Sequence, residues 1–90
     1  MIVHVTFNDG SNPWAAFNLD KKQVIKTVDR FRKKCGGDIC IDIFIGDLTI
    51  QHDYNYIWFI RYDNKAATFR RLGNAINFCE KYNNRGDKNQ

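Results

Sequence analysis

Four isoleucines at alternate positions, Ile39, Ile41, Ile43 and Ile45, constrain this chain more than any other feature. With Cys40, Asp42 and Phe44 between them they repeat with a period of two, which an extended strand turns into one apolar face. Gly46-Asp47 follows, with glycine first, as a type II′ hairpin turn requires. Leu48-Thr49-Ile50-Gln51-His52 then returns and sets Leu48 and Ile50 beside the isoleucine face. A second turn near Asp53-Tyr54-Asn55 leads into a strand over 56–62. With Gln51 opposite Tyr56, Ile57 and Phe59 join the core face, while Tyr56, Trp58, Ile60 and Tyr62 take the other. A slip of one residue exchanges those sets.

The remaining segments supply partners for that sheet. Ile2-Val-His-Val-Thr-Phe7 alternates and predicts a first strand, ended by Asn8-Asp9-Gly10-Ser11-Asn12-Pro13. In residues 14–19, Trp14, Phe17 and Leu19 either anchor a short second strand or pin an ordered loop, and the loop is slightly preferred. Residues 20–35 predict a helix, with Asp20 and Gln23 as a capping box and Val24, Val28, Phe31 and Cys35 as the apolar stripe. Gly36-Gly37 supplies the left-handed backbone that ends it. A second helix is expected over 65–83, capped by Asp63 or Asn64, with Phe69, Leu72, Ile76, Cys79 and Tyr82 on its buried stripe. The expected fold is α+β, an antiparallel sheet in the order β-α-β-β-β-α with both helices on the isoleucine face. Residues 1–84 make one compact domain, and 85–90 a polar, disordered tail.

Ninety residues with 43% hydrophobic content suffice for one core and leave no room for a second. No apolar run approaches 18 residues, so no membrane partner is expected. Three cysteines make an odd, sparse set that fits reduced thiols in a cytoplasm better than a disulfide scaffold. Ten isoleucines, ten asparagines, eight lysines and a single proline resemble the usage of small accessory proteins of low-GC bacteria and their phages. The expected location is therefore the bacterial cytoplasm, with a phage origin in keeping.

The formal charge of +4 is unevenly spread. Residues 20–34 hold seven basic side chains against Asp20 and Asp29, a local balance of +5, so the rest of the chain sums to −1. Residues 36–64 carry five aspartates against Arg61 alone. Such polarity steers partners to one face, whereas net charge alone governs solubility.

No catalytic or metal-binding pattern emerges. Cys35, Cys40 and Cys79 have only His4 and His52 as imidazoles, at no spacing that links them. Cys35 and Cys40 lack the second pair that would complete a zinc site, so neither metal nor cofactor is expected. Asp9, Asp38, Asp42 and Asp47 stand near glycine or asparagine and read as turn formers and edge charges. Tyr56-Ile57-Trp58 shares the aromatic spacing of RNA-recognition sheets but lacks their Arg/Lys-Gly opening.

Two surfaces remain as candidates. Phe44, Tyr56, Trp58 and Tyr62 form an aromatic patch on the sheet face opposite the helices, suited to a protein partner or a second copy of the chain. Lys22, Lys26, Arg30, Lys33 and Lys34 form a basic patch on the first helix, suited to an acidic partner such as nucleic acid. Aromatics and cations then lie on opposite sides, whereas a single-stranded nucleic-acid site interleaves them. The expected function is thus a non-catalytic protein-binding module, an inhibitor or adaptor of phage or mobile-element type acting on host or defence machinery. Nucleic-acid binding through the first helix is the alternative.

Overall fold

The computed structural model describes residues 1–52 and 57–88, with side chains through Asn84. In chain order the elements are β1 (Ile2–Phe7), β2 (Trp14–Ala16), α1 (Lys21–Cys35), β3 (Ile39–Ile45), β4 (Leu48–His52), β5 (Trp58–Tyr62), β6 (Lys65–Phe69) and α2 (Leu72–Lys88). The six strands form one sheet in the order β2-β1-β3-β4-β5-β6, antiparallel at every pairing. This is the expected α+β fold. The isoleucine face of β3 meets Val3 and Val5 of β1, Val24 and Val28 of α1, and Leu72, Ala75, Ile76 and Cys79 of α2 in one buried cluster.

Local chemistry explains why α1 begins and ends where it does. The Asp20 carboxylate accepts from the Gln23 backbone N–H, and the Gln23 side chain accepts from the Asp20 N–H, each at 2.8 Å. Two orphan donors of the first turn are thereby satisfied. Gly36, at φ 61°, closes the helix and donates its N–H to the Arg32 carbonyl at 2.9 Å. Phe31 fills the space between the helix and the sheet edge, with ring centroids 6.2 Å from Phe7 and 4.7 Å from Trp14.

The β3–β4 hairpin also forms as its sequence requires. Ile43 pairs with Ile50 and Ile45 with Leu48, leaving Gly46 and Asp47 as the turn. Gly46 takes φ 58° in the first turn position. A side chain there would also collide with α2, because a Cβ would lie 2.5–2.8 Å from the Asn83 carboxamide. That carboxamide donates to the Ile45 carbonyl at 3.0 Å and fastens the far part of α2 to the turn.

Three expectations are corrected. Residues 14–16 are a strand rather than loop, because pairing Val5 with Trp14 and Val3 with Ala16 brings the indole onto the core face above Phe31. Residues 65–69 are a sixth strand rather than the start of the second helix. Asp63 and Asn64, at φ 46° and 61°, are not a helix cap; they form a two-residue hairpin turn between Tyr62 and Lys65. The second helix consequently starts at Leu72, and it runs to Lys88, past the expected end at residue 83.

The third correction concerns β5. Gln51 stands opposite Phe59 rather than Tyr56, and Ile50 opposite Ile60. The displacement is odd, so every side chain of the strand changes face. Trp58 and Ile60 lie in the core at 1% and 0% exposure. Tyr62 follows them inward and meets Phe78 and Tyr82 of α2, with ring centroids at 5.0 and 5.8 Å. Burying an indole and an isoleucine together outweighs the shorter turn that the other register would need. The expected turn at 53–55 and Tyr56 lie outside the described residues.

Candidate functional site

The strand registers fix what the uncovered sheet face carries. Ala15, His4, Asp42, Gln51, Phe59 and Thr68 form one row across the six strands. A neighbouring row holds Ile2, Phe44 and Thr49, and further along Arg61 and Ala66. Of the expected aromatic patch, Phe44 is on this face, at 39% exposure, and Tyr56 lies outside the described residues. Trp58 and Tyr62 are withdrawn from it by the register of β5. Phe59, which the sequence assigned to the core, takes their place, with the Arg61 guanidinium carbon 5.8 Å from its ring centroid. Phe44, Thr49, Gln51, Arg61, Asp42 and Asp47 line a shallow depression of about 400 Å³.

The same registers reveal a grouping that sequence spacing hides. His4 stands opposite Asp42, and Cys40 opposite Thr6, so a cysteine, a histidine and an aspartate share one patch of the open face. Cys40 is exposed, and His4 and Asp42 are half-buried. Nucleophilic catalysis needs the thiol and imidazole within hydrogen-bond reach and the base oriented by its partner. No hydrogen bond joins these three among the described residues. The remaining cysteines stay structural: Cys79 is fully buried and Cys35 packs against the core. Burial, with Glu80 beside it, pushes the Cys79 thiol up to about 11.

Asp9 and Asp63 act in turns, whereas Asp42, expected as a turn former or edge charge, lies within β3 on the open face. Asp9 accepts from the Ser11 N–H at 2.8 Å, and bonding from Ser11 holds its carboxyl below the usual range. Asp63 accepts from the Tyr82 hydroxyl at 2.9 Å, tying the β5–β6 turn to α2. No group of three or more potential ligands is placed to hold a metal among the described residues.

The basic patch is where the sequence put it. Lys22, Lys26, Arg30, Lys33 and Lys34 are all exposed, on the side of α1 turned from Val24 and Val28. Lys22, Lys26, Arg30 and Lys34 recur every four residues, so they form one row about 18 Å long on the helix surface. Beside the row, Lys33 pairs with Asp29 at 3.7 Å on the exposed surface. Lys21 leans the other way and donates to the Asn77 side chain of α2 at 2.6 Å.

Sequence reading missed one extension of this patch. Gly73, at the start of α2, faces the first turns of α1: a Cβ there would make ordinary contact, at 3.9 Å, with both Ile25 Cδ1 and Lys21 Cε. The exposed Arg70 and Arg71 immediately precede this contact. The helix layer thus brings Arg70 and Arg71, distant in the chain, near the basic first turns of α1. No known protein family, characterised protein or solved structure matches the chain.

Proposed function

We propose that this protein is a non-catalytic binding module that docks an acidic macromolecule on the outer face of its helix layer. It acts by occupying its partner's surface, as an inhibitor or adaptor does. The observation that carries the reading is the row Lys22, Lys26, Arg30 and Lys34, every member of which is exposed. Like charges four residues apart on a helix repel one another by about 0.2–0.5 kcal/mol per pair. A helix that keeps three such pairs in succession is under electrostatic load, and an apposed polyanion relieves it. The opposite side of the molecule cannot supply this attraction, since its cationic side chain Arg61 is accompanied by Asp42 and Asp47.

The test is titration of the protein with heparin and with polyglutamate at low salt, followed by isothermal calorimetry. The parent should bind both. A variant carrying Lys26→Gln, Arg30→Gln, Lys33→Gln and Lys34→Gln should lose most of that binding with an unchanged circular dichroism spectrum. A parent that binds neither polymer overturns the reading.

A second reading, protein binding through the open sheet face, rests on Phe44 beside Phe59 and Arg61. Aromatic and arginine side chains dominate interface hot spots. Loss of Trp58 and Tyr62 to the core leaves this patch smaller than the sequence suggested.

A further inference from the structure

We infer that the acidic partner is double-stranded nucleic acid, gripped through its phosphates without regard to sequence. This rests on the helix-layer reading and adds the partner's identity to it. The first argument is the regularity of the charge. Four cations follow one inclined ridge of α1, about 6 Å apart in rise and turning about 40° at each step, and match a partner whose negative charge is dense over a curved surface. A duplex carries one charge per ~1.7 Å of axis, a denser and more continuous negative surface than a protein face on which both signs are interspersed.

The second argument is the shape of the patch. Arg70 and Arg71 enter the helix layer at the Gly73 contact, beside the first turns of α1 and ahead of α2. Arg70 and Arg71 thus add exposed cations near the first turns of α1, and cations outside a single ridge can reach further phosphates. A single strand is held differently, by several aromatics interleaved with the cations. Here the aromatics of the helix layer are occupied: Phe31 with Trp14, Phe78 with Tyr62 and Phe69, and Tyr82 with Tyr62. Phe17, 64% exposed in the link before α1, is one ring where a stacking platform uses several.

Few side chains on the outer face of α1 are free to read bases. The Gln23 side chain is engaged in the helix cap, and Asp29 is paired with Lys33. The ridge that remains is mostly lysine, a flexible point charge suited to phosphates, and phosphate contacts position a protein but carry no sequence information.

Fluorescence anisotropy with labelled duplexes of two unrelated sequences, the matching single strands, and polyglutamate as competitor tests the inference. The parent should bind both duplexes equally and more tightly than either single strand. Its log affinity should fall linearly with log salt concentration. Arg70→Gln with Arg71→Gln should reduce the steepness by about 1.8, two phosphate contacts at 0.9 each. Lys22→Gln with Lys26→Gln should do the same, which guards against one variant failing to fold. Tight polyglutamate binding without duplex binding overturns the nucleic-acid inference while the helix-layer reading stands. Binding of neither overturns both. A preference for single strands, or a salt slope indifferent to Arg70 and Arg71, overturns the inference as well.

Discussion

An indole holds β5 to the rest of the core: Trp58 is 1% exposed, and its ring lies 4.3 Å from that of His52 on β4. Replacing it by alanine removes the largest fully buried side chain and should cost about 3–5 kcal/mol, at least as much as Ile43→Ala at about 2–5 kcal/mol. In a Trp14→Phe background its fluorescence should be shielded from acrylamide, and free quenching would contradict the register of β5. Folding raises the Cys79 thiol from 9.0 to about 11, chiefly through burial. The unfolded chain therefore binds fewer protons between those values, and stability falls as pH rises from 9 towards 11. Denaturant titrations across that window should show a decline of roughly 3 kcal/mol at most, absent in Cys79→Ala. At neutral pH a thiol reagent should label exposed Cys40 promptly and Cys79 only on unfolding.

Elements differed in how plainly their sequences announced them. α1 and the β3–β4 hairpin were legible because each carries its own punctuation: a capping box and a closing glycine for the one, four alternate isoleucines and Gly46 for the other. Asp20→Ala should accordingly lower stability by about 1 kcal/mol in chemical denaturation. β6 was not legible. Lys65-Ala66-Ala67 has good helix formers, and only pairing with β5 through the left-handed turn at Asp63-Asn64 makes it a strand. β5 failed for another reason, since the length of its connection to β4 decides which face Trp58 takes and nothing local reports that length. The basic patch was readable as far as α1 extends, but its Arg70–Arg71 part depends on α2 crossing α1 at Gly73. One tertiary link between elements can be tested directly. Gly46→Ala should cost about 2 kcal/mol, from its positive φ and from displacing Asn83. In an Asn83→Ala background the same change should cost measurably less, and an additive double-mutant cycle would show that the turn and α2 are not coupled.

The whole molecule is divided electrically, with its positive charge on the helix layer and its open sheet face carrying Asp42, Asp47 and Arg61. That division has a consequence for stability in the absence of any partner. Successive pairs along α1, Lys22 with Lys26, Lys26 with Arg30 and Arg30 with Lys34, each oppose folding slightly, whereas Lys33 with Asp29 favours it. Their side chains avoid the core, so neutralising them leaves the packing of Val24 and Val28 untouched. Salt screens all these exposed charges within about 10 Å at 0.1 M, and the local balance of +5 over residues 20–34 makes repulsion the larger sum. Raising sodium chloride from about 0.01 to 0.3 M should therefore stabilise the parent, by roughly 0.5–1 kcal/mol or a few degrees in Tm. A variant with Lys26→Gln, Arg30→Gln and Lys34→Gln retains the Lys33–Asp29 pair and has lost all three repulsions. Its melting temperature should start higher at low salt and change little as salt is added. Thermal melts followed by circular dichroism at several salt concentrations make the comparison. Equal salt responses in parent and variant would mean that the row on α1 carries no load for a polyanion to relieve.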